Sequence, residues 1–253
     1  MGRRCRAGRG ASGRKPEVSP QRAGVPVPKF GRRGACGGFP EGPSGHNPWM
    51  PVFHRDGCNL LFVHIPKTGG TFVERQLKAN GWRASFLLHG QQERHLLGLM
   101  HASPQHLHWS QLCALFDPTA FDLAFAIVRD PLERAISEYR MRSKARVRPF
   151  DEWLHDALLK RASDPFHLDN HLRPQHEFVG PGVEVLRFED GLDEGLMARL
   201  SRACGRDLVL QPLPRRADAS LVRRAEVVPG RASLDLLARV YAEDYRRFGY
   251  PLP

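Results

Sequence analysis

The sequence Leu60-Leu-Phe-Val-His-Ile-Pro-Lys-Thr-Gly-Gly-Thr-Phe-Val-Glu-Arg-Gln-Leu77 predicts a strand, a tight loop and a helix in succession. Its apolar start, Leu60 to Ile65, has the length and composition of a buried strand. Pro66 cannot donate a hydrogen bond to a sheet ladder, so the strand should end there. Val73 and Leu77 lie four residues apart, as on one face of a helix, and Asn80-Gly81 supplies a helix stop.

The loop in this stretch, Lys67-Thr-Gly-Gly-Thr71, has the composition of an anion-binding site. Glycines let the backbone bend sharply and approach a ligand closely. Between a strand and a helix, backbone N–H groups and the helix dipole together bind a phosphate, and Lys67 adds a positive charge. The nucleoside-triphosphate motif Gly-x-x-x-x-Gly-Lys-Ser/Thr is absent, because Lys67 precedes the glycine pair. An ordinary glycine-rich turn would explain the glycines but not the lysine with two threonines.

A second segment repeats this order of elements. Phe121 to Val128 is another apolar strand candidate, and a helical pattern follows Pro131, which suits the first helical position. Asp130 is a favourable N-cap. Arg129 at the strand end and Ser137 two turns into the helix would be able to close on one phosphate. Taken alone, the segment would also fit an ordinary capped helix with a surface arginine.

Together the two segments resemble the motifs of sulfotransferases that use the donor PAPS (3′-phosphoadenosine-5′-phosphosulfate). Pro-Lys-Thr-Gly-Gly-Thr, ending at Thr71, is similar to their 5′-phosphosulfate loop, and His64-Ile65 before it is typical of the carbohydrate branch. The Val-Arg-Asp-Pro frame with a later Ser-x-Tyr is similar to their 3′-phosphate motif. The resemblance spans about residues 53 to 250, includes the C-terminal phrase Tyr-Arg-Arg-Phe-Gly-Tyr, and is of the heparan sulfate 2-O/6-O-like type.

The resemblance implies a function and the residues that perform it. The chain would move a sulfuryl group from PAPS to an acceptor hydroxyl, expected on a carbohydrate or glycoconjugate, and release 3′,5′-ADP. Lys67 would act in catalysis by neutralising charge on the bridging oxygen as its bond to sulfur breaks. No metal is expected to be required. The residues expected to bind PAPS are Lys67, Thr68, Gly69, Gly70, Thr71, Phe72, Arg129 and Ser137.

The general base for the acceptor hydroxyl is expected to be a histidine. The phrase Gly98-Leu-Met-His101-Ala resembles a Gly-Leu-His-Ala phrase of heparan sulfate 6-O-sulfotransferases that carries their catalytic base, which assigns the role to His101. His89 and Glu93 are the alternatives, because 3-O-sulfotransferases place a glutamate base at about that distance after the loop lysine. Metal binding by the histidines of this connection is not predicted, because their spacing matches no standard zinc pattern.

Two later segments are expected near the site by the same resemblance. Gln175, with His171 or Arg173 close by, would border the acceptor and donor pockets. In the basic loop from Pro212 to Ser220, Arg215 or Arg216 would contact the 3′-phosphate.

The first fifty residues differ in composition from the rest of the 253-residue chain. They hold 10 Lys/Arg against 2 Glu, which accounts for +8 of the net charge of +11, together with 11 Gly and 7 Pro. Such a segment cannot bury enough apolar surface to offset its ordering entropy. A disordered basic tail over residues 1–52, ahead of one domain at 53–253, is therefore predicted, with Met50 as an alternative start. The tail would suit a polyanion-binding arm or an organelle transit peptide.

The chain is expected to be soluble and cytoplasmic, or organellar if the tail is a transit peptide. No apolar run reaches the ~18–20 residues of a membrane helix. The five cysteines are scattered, odd in number and without Cys-x-x-Cys spacing, which argues against a disulfide framework and a zinc site.

Strands that alternate with helices predict an α/β protein, a P-loop-like three-layer fold with a central parallel sheet flanked by helices. Later elements are expected as a helix from Phe150 to Leu159, a strand from Val183 to Phe188, a helix that follows Glu189-Asp190, and a final helix from Ser233 to Phe248.

Two other functions fit the sequence less well than sulfuryl transfer does. A P-loop-type nucleotide kinase or ATPase is disfavoured by the absent triphosphate motif and by the lack of a Mg²⁺-binding aspartate after a strand. A basic nucleic-acid-binding protein would explain the isoelectric point of about 10, but the positive charge lies mostly in the predicted tail.

Overall fold

A computed structural model of the protein describes residues 52–85, 101–142, 148–214 and 227–253. Five strands form one sheet in the order β3-β1-β2-β4-β5. They are β1 (Val52–Arg55), β2 (Cys58–Val63), β3 (Arg83–Ser85), β4 (Leu123–Val128) and β5 (Val183–Arg187). The helices within the described ranges are α1 (Gly70–Ala79), α2 (Trp109–Leu115), α3 (Pro131–Arg142), α4 (Phe150–Ser163), α5 (Glu194–Cys204), α6 (Arg231–Val240) and α7 (Ala242–Phe248). No helix in these ranges is long and apolar enough to cross a membrane.

The alternation of side chains along β4 explains why helices cover both faces of the sheet. Phe125 and Ile127 face one side, where they join a core that contains residues of α1 and α5. Ala124, Ala126 and Val128 face the other side, with residues of α3, α4, α6 and α7. A strand that is apolar on both faces must be covered on both. The predicted α/β fold with three layers is therefore confirmed.

The sheet departs from an all-parallel arrangement at β1. The β2–β4 and β4–β5 pairs are parallel, whereas β1 pairs antiparallel with both β2 and β3. The turn from β1 to β2 is Asp56-Gly57, with φ of 48° and 79°. Positive φ at both central residues of a two-residue hairpin loop is why Asp-Gly is favoured there. β1 was not among the predicted strands, although Asp56-Gly57 is a hairpin signal in the sequence.

Several helix boundaries differ from those predicted. The helix predicted from Phe150 to Leu159 continues to Ser163, and the final helix begins at Arg231 rather than Ser233. The helix expected to follow Glu189-Asp190 begins only at Glu194, because the Asp193 side chain accepts hydrogen bonds from the backbone N–H groups of the first turn. The final helix is interrupted at Tyr241, whose φ of −110° and ψ of 23° separate α6 from α7. The buried Tyr241 hydroxyl donates to the Leu172 carbonyl, 2.8 Å away.

The tail at 1–52 and the domain start at 53 stay predictions, since residues 1–51 lie outside the described part.

His176 is expected to stabilise the fold more at acidic than at alkaline pH. A 2.7 Å hydrogen bond to the buried Asp244 raises the pKa of the His176 imidazole, against the opposing effect of burial. A raised folded-state pKa gives stability that is fully present below the unfolded pKa of about 6.5 and lost as the pH rises through the folded value. The difference in unfolding free energy between the wild type and His176→Gln, measured in urea, should therefore be larger at about pH 5 than at about pH 9.

Substitution of the exposed His155 on α4 gives the baseline for losing a surface imidazole. An equal difference for His176→Gln at both pH values, after that correction, would contradict this interpretation.

Candidate active site

The loop between β2 and α1 presents backbone N–H groups in the manner of an anion-binding loop. The buried Thr68 hydroxyl donates to the Ile65 carbonyl, 2.8 Å away, and so closes the loop on itself. Lys67 and Gly69 adopt left-handed backbone conformations, with φ of 71° and 89°. Among the hydrogen bonds between described residues, none is donated by the backbone N–H groups from Gly69 to Thr71. These N–H groups lie at the N-terminal end of α1, where the helix dipole stabilises a negative charge.

Gly70 is required by the close packing of His64 against this loop. A Cβ atom at residue 70 would overlap the His64 imidazole. That ring is held in place from its other side, because its Nδ1 lies 2.8 Å from Oε1 of the buried Glu74 on α1. The second glycine of the motif therefore makes room for a histidine.

Gly70→Ala is expected to lower the free energy of unfolding by about 1–3 kcal/mol, the usual cost of an overpacked core site. Urea unfolding of the purified variant would measure it. The same substitution in a His64→Ala background should cost much less, because the ring that it would strike is gone. An equal cost in both backgrounds would show that the clash is not the cause.

The end of β4 is held by side chains from distant parts of the chain. The Gln175 amide bridges both backbone groups of Arg129, accepting from its N–H at 2.9 Å and donating to its carbonyl at 2.7 Å. The next N–H, of Asp130, donates to Oε1 of Glu189 at 2.8 Å. Asp130 in turn caps α3, because its Oδ1 accepts from the N–H of Glu133. Gln175, expected near the site, therefore acts here by positioning Arg129.

The Arg129 guanidinium is held by its neighbours, but its hydrogen bonds to them are long. It lies over the Phe188 ring, 4.5 Å from the centroid, and its weak contacts to the Lys67 carbonyl and the Glu133 carboxylate are both 3.4 Å long. Its buried Nε has no hydrogen-bond partner among the described residues. Burial lowers the pKa of this guanidinium, which nevertheless stays a cation at neutral pH. Such a group is suited to a ligand with negative charge.

The loop and the β4 end meet in a cleft of about 540 Å³ at the carboxyl ends of β2 and β4. Most of the expected PAPS-binding residues lie together in its wall. The lining residues are His64, Pro66, Lys67, Gly69, Gly70, Thr71, Gln105, His106, Arg129, Ser137, Met141, Arg142, Asp169, His171 and Phe188. A second cavity of about 250 Å³ is lined by Lys67, Arg129, Ser137, Arg140 and Met141.

Two of the expected binding residues are not among the described residues that line the cleft. The Thr68 hydroxyl is used inside the loop, as described above. Phe72 packs against the apolar core on the α1 side of the sheet, and its N–H donates to the Gly69 carbonyl, 2.9 Å away. Their part in binding PAPS stays a prediction.

The structure does not bring His101 to the cleft lining. His101 is exposed, and its ring stacks on Phe166 with 5.2 Å between centroids. The alternatives His89 and Glu93 lie outside the described residues, as do Arg215 and Arg216. Arg173 is engaged by Asn170 and by the Glu177 carboxylate.

Three other histidines, each bound to a carboxylate, line the cleft instead. His106 Nδ1 lies 2.7 Å from Oδ2 of Asp169, and His171 Nδ1 lies 2.6 Å from Oε2 of Glu138. His64 bonds Glu74 in the same way. The ring of His106 stands edge-on between the other two rings, with centroid distances of 5.2 Å to His64 and 4.7 Å to His171.

The sequence gives little sign of these pairs. His106 stands in the histidine-rich connection, but its partner Asp169 is 63 residues away, and His171 is 33 residues from Glu138. Only His171 was expected near the site. The pairing depends on how α3 and the later loop pack together, which local spacing does not reveal.

The charge states of one pair determine which nitrogen of the imidazole carries the proton. Burial lowers the pKa of His106 to about 3, against the raising effect of Asp169. Burial would raise the pKa of Asp169, but hydrogen bonds from His106 and Ser103 outweigh it and lower this pKa to about 2. At neutral pH the pair is a neutral imidazole and a carboxylate, so the Nδ1–H of His106 donates to Asp169. Nε2 then carries the lone pair.

A left-handed turn places Asp169 in this position. Leu168, Asp169 and Asn170 have φ of 56°, 57° and 61° in succession. Asp and Asn tolerate this region better than other side chains, whereas Leu does not, at a cost of about 1–2 kcal/mol. Asn170 also donates from Nδ2 to the His106 carbonyl, 2.8 Å away. Backbone strain held by the surrounding structure is often found at functional sites.

Comparison with known proteins gave one match. The family model described as the sulfotransferase family matches residues 51–251, about four fifths of the 253-residue chain. No curated protein and no solved structure matched.

Proposed function

Because the chain belongs to the sulfotransferase family, we propose that it transfers the sulfuryl group of PAPS to an acceptor hydroxyl and releases 3′,5′-ADP. Sulfuryl transfer follows from membership of the family, whereas the identities of the donor and of the acceptor are what we propose. The observation that carries it is the shared cleft, in which the loop with Lys67 faces Arg129 and Ser137. The match to the sulfotransferase family does not favour a nucleotide kinase or ATPase, nor a nucleic-acid-binding protein.

We assign the two ends of the donor nucleotide to two groups of residues. The open N–H groups from Gly69 to Thr71, at the start of α1, would hold the 5′-phosphosulfate. Arg129 and Ser137 line the second cavity together and would hold the 3′-phosphate. The Nε of Arg129, which has no hydrogen-bond partner among the described residues, fits an anionic ligand.

Lys67 would stabilise the charge that develops on the leaving group. In the reaction, the acceptor oxygen forms a bond to sulfur while the bond from sulfur to the bridging phosphate oxygen breaks, and that oxygen keeps the electron pair. The Lys67 ammonium lines the same cleft as the loop N–H groups. Donors fixed in advance at the place where charge develops are the usual source of such stabilisation. No metal ion has a role in this proposal, and that expectation stays a prediction.

We propose His106 as the general base in place of His101. His106 lines the cleft, its Nδ1 is held by Asp169, and its Nε2 has no hydrogen bond to another described residue. A base oriented through its second nitrogen by a carboxylate is a recurring arrangement in nucleophile activation. His171 lies beside it with the same kind of support from Glu138 and is the second candidate.

A saccharide acceptor is the substrate class that the resemblance favours. Gln105 and Asp169 line the cleft and offer hydrogen-bonding groups of the kind that neighbouring sugar hydroxyls require. The Arg129 guanidinium covers one face of the Phe188 ring, which also lines the cleft. The cytoplasmic location stays a prediction.

Calorimetric titration of the full chain with 3′,5′-ADP, 5′-ADP and Mg-ATP tests the donor site. Tight binding of 3′,5′-ADP, with much weaker 5′-ADP and no preference for Mg-ATP, is expected. Equal binding of all three, or a preference for Mg-ATP, would contradict the assignment of Arg129 and Ser137 and support a phosphotransfer enzyme. Binding of none of them would show that the donor site does not function.

A further inference from the structure

We propose that His106, Asp169 and His171 form a binding site for a divalent transition-metal ion of the Zn²⁺ class. One potential ligand atom from each residue lies within 4.8 Å of those of the other two. All three residues line the cleft, so an ion has access to them. The proposal goes beyond the sulfotransferase assignment, which requires no metal.

The hydrogen bonds of the three residues indicate which atoms would bind the ion. His171 Nδ1 is engaged by Glu138 at 2.6 Å, which leaves Nε2 as its ligand atom. His106 Nδ1 faces Asp169 Oδ2 at 2.7 Å. An ion that bridges these two atoms would take the place of the Nδ1 proton, with a nitrogen-to-oxygen separation of roughly 3.3 Å from the usual zinc bond lengths and tetrahedral angle. The pair therefore has to open by only about half an ångström.

Asp169 has the capacity for a further bond. An ionised carboxylate offers about four lone-pair positions. Three are used here, by the Ser103 N–H, the Ser103 hydroxyl and His106 Nδ1. Replacement of the last one by an ion would leave the two Ser103 bonds in place, and these would keep the carboxylate oriented.

The surroundings of His171 are those of a metal-binding histidine. Histidines that bind metals almost always donate their other ring N–H to a carboxylate or a carbonyl, which fixes the ring and raises its basicity. Glu138 plays that part for His171, is fully buried, and is itself held by Arg142 at 2.7 Å.

The ligand set determines the class of ion. Two imidazole nitrogens and one carboxylate oxygen suit Zn²⁺, Co²⁺, Ni²⁺ or Cu²⁺, whereas Mg²⁺ and Ca²⁺ prefer oxygen ligands. With three protein ligands, the fourth position of a tetrahedral ion would be open to the cleft. Zinc sites with an open position bind water or a small ligand there.

One consequence rests on the proposed function. With an ion on Nδ1, the neutral His106 ring carries its proton on Nε2, so the lone pair that would accept the acceptor's proton is lost. A bound ion would therefore inhibit transfer without occupying the loop that holds the donor.

Equilibrium dialysis of the metal-free full chain with Zn²⁺, in the absence of nucleotide, tests the site. The wild type should show a saturable site that Mg²⁺ in large excess does not displace. His171→Gln should weaken this site by more than about 100-fold, and Glu138→Gln, which removes only the carboxylate support, by about 10–100-fold. His176→Gln is the matched control, because His176 is also bound to a carboxylate but lies outside the cleft lining.

A site lost in His171→Gln and kept in His176→Gln supports the proposal. No saturable site in the wild type, or one that His171→Gln leaves unchanged, overturns it. Co²⁺ gives a check on the unaltered chain, since a protein-bound ion with nitrogen ligands shows a visible absorption band distinct from that of aqueous Co²⁺. Absence of that band would also overturn the proposal. The dialysis contains no nucleotide, so the two experiments are independent. Absence of Zn²⁺ binding would not change the conclusion from the titration with 3′,5′-ADP, and absence of 3′,5′-ADP binding would not change the conclusion about Zn²⁺.

Discussion

Lys67→Ala is expected to lower turnover by a factor on the order of 10² or more, the usual loss when one donor to a developing negative charge is removed. The left-handed backbone at Lys67 and the internal bond of Thr68 fix the loop from which this side chain projects. Its Nζ lies in the cleft wall, 3.3 Å from the Met141 sulfur. Turnover can be measured as release of 3′,5′-ADP from PAPS, with an acceptor found by screening or with water in its place.

Lys160→Ala is the matched control for this experiment, because Lys160 is an exposed lysine on α4 paired with Asp156. It should leave turnover unchanged. Lys67→Arg keeps the charge but not the compact ammonium, so an intermediate rate is expected. Full activity of Lys67→Ala would remove the proposed mechanism, whatever the donor affinity.

Arg129→Ala is expected to weaken binding of 3′,5′-ADP by about 10–100-fold, since a hydrogen bond to a charged group contributes about 1.5–3 kcal/mol. The loss should be confined to the 3′-phosphate, because Arg129 and Ser137 also line the second cavity, which the loop residues from Gly69 to Thr71 do not line. Affinity for 5′-ADP should therefore change little. Calorimetry with both nucleotides, on the wild type and the variant, would measure the difference.

The exposed Arg246 on α7, paired with Glu243, provides the control for loss of a positive charge. Arg246→Ala should leave both affinities unchanged. Ser137→Ala should weaken 3′,5′-ADP less than Arg129→Ala does, because a neutral hydroxyl makes a weaker hydrogen bond to a phosphate. Equal weakening of 5′-ADP and 3′,5′-ADP in Arg129→Ala would show that the 3′-phosphate is bound elsewhere.

The elements that the sequence predicted correctly are those specified by neighbouring residues. The strand predicted from Leu60 to Ile65 is observed two residues earlier, as β2, and the glycine loop and α1 follow it as expected. The same holds for Asp130 and Pro131 at the start of α3. The meeting of these two segments at one cleft follows from a general rule, since the carboxyl ends of parallel strands lie at the same edge of a sheet.

The features that sequence analysis missed depend on contacts between distant segments. His106 and Asp169 are separated along the sequence by several elements, among them β4, α3 and α4. The prediction of His101 as the base, which came from a local motif, stays untested; its ring stacks on Phe166, and it is not among the described residues that line the cleft. The role of Gln175 was also missed, because a glutamine that bridges an arginine's backbone looks, in the sequence, like one that faces a ligand.

The side chains that hold the end of β4 give the C-terminal segment a part in the site. Gln175, which bridges Arg129, has its own N–H bound by Asp244 of α7 at 2.7 Å. Glu189, which holds the N–H of Asp130, accepts a 2.8 Å hydrogen bond from the Tyr250 hydroxyl. The last turn of the chain thus acts as an anchor for an arginine more than a hundred residues earlier in the sequence. Truncation before Asp244 would remove both hydrogen bonds, the one from Gln175 to Asp244 and the one from Tyr250 to Glu189. Arg129 would then be less firmly positioned, although the residues that line the cleft all come from other parts of the chain.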